Sequence, residues 1–266
     1  MIELSDYLVV VRGGGDIGSG VAWRLRRVGF PVVVLELERP LTIRRTVAFS
    51  TAVTAGDIVI DGIEGRRVAS HQEAIATAMH DTVAVLVAPE IPDMPVSVVV
   101  DARLAKRNLG TDTRQAPFVV ALGPGFTAGK DCHAIVETKR GHDLGRVIWE
   151  GSAATNTGVP GTIGGASEDR VIHAEVDGEL TWDAAFGDSV GREEILGQVS
   201  GSPVRSKIGG VVRGLLLPGP VVKGLKIADI DPRFDPTAIH HISDKSLSVG
   251  GGVLEAILAW LNDPEQ

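Results

Sequence analysis

Three glycines and one acid carry the chemistry that this sequence displays most plainly. Gly13, Gly15 and Gly18 stand at G-x-G-x-x-G spacing in RGGGDIGSG, and Glu36 follows, at the roughly 20-residue interval that places an acid on a nucleotide ribose. In such a turn the first glycine permits the tight bend, the second lets backbone approach a pyrophosphate, and the third lets helix pack on strand. Together with Gly14, Asp16 and Ile17, these residues are expected to bind a nucleotide or another small phosphate-bearing, anionic ligand at the N–H groups that open the next helix. Asp16 reads as a cap on that helix, and equally as a carboxylate that would repel a phosphate. Arg44 and Arg45 are expected to hold the anionic end of the ligand bidentately, or else to pair with Glu36 or Glu38.

A second group of reactive types lies mid-chain. Gly123, Gly125 and Thr127 belong to a glycine-rich loop, Cys132 follows, and Lys139, Arg140, His142 and Arg146 come next. Cations beside a thiol favour the thiolate, which is a nucleophile and a soft metal ligand. Cys132 and His142 are therefore expected as catalytic residues, Cys132 also as a metal ligand, and the loop residues as cofactor contacts. The plain alternatives are a small buried hydrophobe at Cys132 and a surface histidine at His142. His240 and His241 are sequence neighbours, so their side chains diverge and make no two-ligand metal face. No H-E-x-x-H, G-x-S-x-G or P-loop spacing occurs.

The elements that must hold these groups follow from the apolar pattern. Leu8–Val11, the glycine turn, a helix and Pro31–Leu35 make a βαβ unit. TVAVLVA (82–88) and VSVVV (96–100) lack a polar face, as strands do when helices cover both sides of a parallel sheet. Asp57–Ile60 and Arg66–Val68 predict a hairpin, and Ser70 with Glu73 has the capping-box spacing of a helix start. Asp101 ends its strand as a ligand contact or, more plainly, a partner for Arg103. FVVAL (118–122) is a further strand, and Cys132–Thr138 reads as another. Beyond Gly151 the texture turns to short strands, with 171–182 reading as a hairpin about Asp177-Gly178. A faint repeat, at an offset of roughly 32 residues, relates Gly187-Asp188-Ser189-Val190 and Ile195–Val199 to Gly219-Pro220-Val221-Val222 and Lys226–Ile230. It resembles the halves of a barrel-sandwich hybrid, although the connection Ser200-Gly201-Ser202-Pro203 offers no lysine for a carrier arm. Ser246–Leu261 predicts a C-terminal helix, in which Gly250–Gly252 would cost stability unless another backbone approaches there.

The expected fold is therefore α/β: a Rossmann-like parallel-sheet domain over 1–122, then a β-rich domain over 123–266 with the barrel-sandwich element at 185–232. The loops at 123–129 and 139–146 are expected to line the cleft between them. With 266 residues, a formal net charge of −8 and one cysteine, the chain needs no disulfide and lacks a general nucleic-acid surface. No export signal or membrane-spanning run is evident, so a cytoplasmic location is expected.

The segments VVVRGGGDIGSGVAWRLRRVGFPVVVLE, IRRTVAF, ALGPGFTAGKDCHAIVETKRGHDLGRVIWEGSAATNTGVPG and IGGVVRGLLLPGPVVKGLKIADIDPR together resemble one family. It is the accessory proteins of selenium-dependent molybdenum hydroxylases, the YqeB-like group, whose nucleotide-binding half is related to the XdhC maturation factors. The resemblance implies a maturation role: binding a nucleotide (NAD or ATP) or the molybdenum cofactor and assisting its modification or insertion into a molybdenum hydroxylase client. An NAD-dependent oxidoreductase and a non-catalytic nucleotide-sensing docking module are the competing readings. A homo-oligomer is compatible with each.

Overall fold

The computed structural model describes residues 2–155 and 169–263. The chain forms two compact units: Met1–Pro40, Ala48–Asn156 and Ile242–Gln266 make the first, Leu41–Val47 and Thr157–His241 the second. It is an α/β protein, with one large, mostly parallel sheet in the first unit and two antiparallel sheets in the second.

The first unit contains β1 (Val9–Arg12), α1 (Asp16–Arg27), β2 (Val32–Glu36), α2 (Ala52–Ala55), β3 (Asp57–Ile60), β4 (Ile63–Val68), α3 (His71–Ala78), β5 (Thr82–Val87), β6 (Val98–Asp101), β7 (Phe118–Leu122), β8 (Ala134–Val136), β9 (Val147–Ile148) and α4 (Asp244–Asn262). Its strands run in the order β3-β4-β5-β2-β1-β6-β7-β8-β9. The pairings from β4 to β8 are parallel, and antiparallel partners, β3 and β9, close the two edges. Valine runs without a polar face form the centre, and β1, β6 and β7 are buried along their whole length. From β1 the chain builds outward through β2, then restarts on the other side of β1 with β6. That reversal leaves a crevice at the carboxyl ends of β1 and β6, where open α/β sheets hold ligands.

Local signals work as their chemistry dictates. Ser70 Oγ accepts the Glu73 N–H at the start of α3, and the Glu73 carboxylate accepts the Ala69 N–H. The β3–β4 hairpin turns at Asp61-Gly62, tighter than the expected turn to Gly65. Helix α4 packs on α1 through small residues. A Cβ on Gly250 would lie 2.8 Å from the Gly20 carbonyl oxygen, and one on Gly20 would lie 2.6 Å from Ser246 Cβ. Of the α4 glycines, Gly250 is thus the one this approach requires.

Four expectations need correction. The boundary at 122/123 runs through the large sheet, because β8 pairs with β7 and α4 returns to α1. Helices do not cover both faces throughout: one apolar face joins Val10, Val33, Val99 and Val119 with α3 residues and with Phe126, Ile91 and Met94 from connecting loops. The strand after Cys132 is only Ala134–Val136. Residues 171–182 form no hairpin, since β10 (Val171–His173) and β11 (Gly178–Trp182) enter different sheets.

The second unit continues with β12 (Ser189–Val190), β13 (Ile195–Val199), β14 (Ser202–Arg205), β15 (Gly210–Leu215), β16 (Gly219–Val221) and β17 (Lys226–Asp231). Its sheets, β10-β17-β15-β12 and β14-β13-β11-β16, share a core that includes Leu180, Leu196, Val212, Ile227 and Ile230. The sequence repeat maps onto β12–β13 and β16–β17, which visit the two sheets in opposite order.

Candidate functional site

The glycine turn follows β1 at the crevice. Gly13 adopts φ +102°, its N–H donates to the Leu35 carbonyl (2.8 Å), and a Cβ there would touch the Ala102 carbonyl. Gly15 is the N-cap residue of α1. Gly18 must lack a side chain: its Cβ would fall 2.0 Å from the Gly13 carbonyl oxygen, the close packing expected of the third glycine. Gly14 is enclosed, with Val34 Cγ1 and the Ser50 nitrogen within 2.9 Å of a Cβ built on it. Its carbonyl accepts both Ser19 Oγ (2.9 Å) and the Ser50 N–H (2.9 Å), while Ser19 Oγ accepts the Phe49 N–H (2.7 Å). Ser19 and Ser50 are thus the supports of the turn that the motif spacing did not reveal.

Glu36 reaches the turn. Its Oε2 accepts the Gly14 N–H at 2.8 Å and its Oε1 the Leu37 N–H at 2.7 Å. Ile17 is buried. The N-cap position of α1 falls to Gly15, not Asp16, which corrects the expected capping role; Asp16 Oδ1 accepts Ser246 Oγ at 2.9 Å, a link to the first turn of α4.

Most of the other expected contacts have partners of their own. Arg44 and Arg45 belong to the second unit, where Arg44 Nη2 donates to the carbonyls of Ala238 and His241. Arg45 Nε donates to the Leu215 carbonyl at 2.8 Å, and its guanidinium lies 5.0 Å from the Phe186 ring centre. These bonds hold the β-rich unit together in place of a ligand's anionic end. In the mid-chain loop, a Cβ on Gly125 would meet Arg107 backbone at 2.6 Å, and one on Gly123 would meet Thr138 Oγ1, so both glycines are required by packing. Thr127 Oγ1 shares a hydrogen bond with Ser152 Oγ at 3.2 Å, and the Thr127 N–H donates to Asp131 Oδ2. Arg140 forms a bidentate pair with Asp244 (2.7 and 2.8 Å), and Arg146 pairs with Asp143 (3.1 Å). Lys139 and His142 are exposed, His142 in a shallow surface depression with Arg146 and Glu255.

Cys132 overturns the thiolate expectation. It is fully buried, and burial, reinforced by the nearby Asp131 carboxylate, pushes its thiol up to about 12. Such a thiol is protonated at neutral pH and inert. Among the described residues no group of three or more His, Cys, Asp or Glu could hold a metal, so the metal assignment of Cys132 is corrected as well. Part of the long central motif, residues 156–161, lies outside the described residues.

A residue that no motif announced organises the mid-chain instead. Glu137 is buried, and its carboxylate accepts the N–H groups of Thr138, Lys139 and Ala154, each at 2.7 Å. At the end of β6, Asp101 is 1% exposed and receives Arg103 Nη2 at 2.6 Å together with Thr111 Oγ1. Against the cost of burial, these donors hold its pKa below the ordinary carboxylate value. The plainer reading of Asp101, a partner for Arg103, is the one realised.

No protein-family model matches the chain. It is 47% identical over 259 residues to the uncharacterized protein YqeB of Escherichia coli (strain K12), an alignment that takes in 96% of this chain and 48% of that protein. The chain therefore spans about half the length of this curated relative. Among solved structures, it is similar to an aspartoacylase family protein from Mesorhizobium loti (TM-score 0.29, 14% identity, 84% of each chain). It is also similar to the ectoine utilization protein EutE from Ruegeria pomeroyi (TM-score 0.27, 14% identity, 84% of this chain and 85% of that one). A succinylglutamate desuccinylase/aspartoacylase from Rhodobacter sphaeroides follows (TM-score 0.25, 17% identity, 86% of each). Scores and identities this low assign no activity to the chain.

No family model matches the chain and its curated relative is uncharacterized, so the comparisons carry no maturation function. Cys132, expected as a metal ligand, is buried and protonated, which corrects the expected function. The maturation role, its client enzyme, the molybdenum cofactor and any handling of selenium are withdrawn. His142 and Lys139, the side chains that an oxidoreductase would have to use as proton donors, are exposed on the loop after β8.

Proposed function

We propose that the chain binds a nucleotide, with its first unit a Rossmann-like domain that takes the diphosphate over Gly13–Gly18 and the ribose on Glu36. The observation that carries this reading is the hydrogen bond from the Gly14 N–H to Glu36 Oε2, which joins acid and turn at the β1/β6 crevice. The N–H groups that open α1 have no acceptors within the helix, and its dipole adds to their pull on an anion. Each oxygen of Glu36 has spent one acceptor position on backbone and keeps another for a hydroxyl of the ribose diol. A phosphorylated 2′-hydroxyl would meet that carboxylate and be rejected, so the nucleotide is of the NAD or ATP kind, sharing an ADP moiety.

The second unit supports a barrel-sandwich reading through its two four-stranded sheets and the crossed repeat. Identity of 47% across nearly the whole chain supports extending both readings to the matching half of YqeB. A single buried, reduced cysteine suits a reducing compartment such as the cytoplasm.

The test compares ADP with its 2′,3′-dideoxy analogue by titration calorimetry. Hydrogen bonds to a charged partner are worth about 1.5–3 kcal/mol, so the native protein should prefer ADP roughly 10- to 100-fold and Glu36→Ala should lose that preference. Equal affinity for the two ligands in the native protein would remove Glu36 from the site.

A further inference from the structure

Arg12, the last residue of β1, is a guanidinium fork with one prong in use. Its side chain is 2% exposed; Nη2 donates to Glu90 Oε2 at 3.0 Å and to the Pro89 carbonyl at 3.2 Å. Nη1 is buried and has no hydrogen-bond partner among the described residues. A planar guanidinium is built to grip a carboxylate with two parallel N–H groups, and here it holds one with a single nitrogen. The resident carboxylate is loosely kept, since the Glu90 side chain is 78% exposed and regains full hydration on release. Nothing else nearby supplies the missing acceptor: Asp101, in register with Arg12 across the β1–β6 pair, is occupied by Arg103 and Thr111. Burial weighs most against the charge of Arg12 and Arg103 adds to it, while Asp101 and Glu90 offset part of that cost.

We propose that Arg12 anchors a subsite for the carboxylate group of a small molecule at the carboxyl end of β1, beside the Pro89-Glu90 segment that follows β5, where the side chain of Glu90 stands in for the ligand until it is displaced. The external carboxylate takes both terminal nitrogens, which Glu90 does not, and so satisfies Nη1. This subsite is independent of the nucleotide at the glycine turn.

The experiment follows the side-chain guanidinium resonances of Arg12 by NMR while the whole chain is titrated with acetate, and separately with inorganic phosphate, at constant ionic strength. Saturable millimolar acetate binding is expected. Glu90→Gln, a substitution at an exposed side chain, should bind acetate at least threefold tighter because the competitor is gone. Arg12→Lys, with its charge kept and its fork removed, has no guanidinium to follow and is read at the Glu90 backbone amide, whose resonance should show no saturable shift. Gly15→Val, which blocks the nucleotide, should respond to acetate as the native chain does, so the two sites fail separately. Unchanged acetate affinity in Glu90→Gln overturns the subsite, and phosphate binding as tight as acetate overturns the carboxylate assignment.

Discussion

Three consecutive glycines in α4 permit a test of why the helix tolerates them. In a helix interior, alanine is favoured over glycine by about 1 kcal/mol, so on propensity alone each replacement should stabilise. Space decides otherwise at Gly252, where a Cβ would sit 2.1 Å from the Gly145 carbonyl oxygen and 2.8 Å from Val136 Cγ1. A backbone carbonyl cannot swing aside as a side chain can, so the upper part of the overpacking range, about 3 kcal/mol, applies. Gly252→Ala should therefore destabilise by about 2 kcal/mol net of the propensity gain. At Gly251 nothing lies within 4 Å of a built Cβ, and Gly251→Ala should stabilise by up to about 1 kcal/mol. Urea unfolding followed by far-UV circular dichroism reads both, with the midpoints moving in opposite directions at unchanged slope. A Gly252→Ala protein as stable as the native one would refute the packing argument.

Three further outcomes follow from buried polar groups. Asp101→Ala should cost about 3 kcal/mol, because it strands the Arg103 guanidinium beside a buried β-strand end; a loss under 1 kcal/mol in the same assay would contradict this. His133 Nδ1 accepts the Val119 N–H at 2.9 Å, and burial holds its pKa below the ordinary 6.5. The unfolded chain then binds the proton more readily, so His133 supports stability above pH 6.5 and withdraws that support as pH falls toward its folded pKa. Urea midpoints between pH 7.5 and 5 should drop more in the native protein than in His133→Asn, and equal drops would exclude the bond. Cys132 should resist iodoacetamide at pH 8 in the folded protein and react on unfolding, as mass spectrometry would show; rapid modification in the folded state would mean the thiol is accessible.

The parts legible in the sequence were those whose cause is local. The valine runs of β1, β2, β5 and β6 have no polar face to offer solvent. Gly13 and Gly18 were readable because one spacing states both the turn and the packing. Ser70 with Glu73, and Asp101 with Arg103, involve neighbours three and two residues apart. What escaped was set by contacts far along the chain. Arg45 is held by the carbonyl of Leu215, 170 residues on, and Asp16 by Ser246, 230 residues on. No pattern around either residue reports such a partner. The polar neighbourhood of Cys132 in sequence suggested reactivity, yet its side chain joins the apolar cluster with Ile135, Phe126 and Ala128. Leu41–Val47 leaves the first unit and returns within one loop, so the arginines that follow the nucleotide acid in sequence serve a different unit.

Titration of ADP into the native chain and into Gly15→Val shows whether a nucleotide sits on the glycine turn. Gly15 has φ −70° and ψ −176°, a backbone open to valine, so the variant removes the room for a phosphate without straining the turn. Saturable ADP binding by the native protein and at least a tenfold loss in Gly15→Val are expected, with both proteins equally folded by circular dichroism. No binding by the native protein, or equal binding by both, would contradict the proposed nucleotide site.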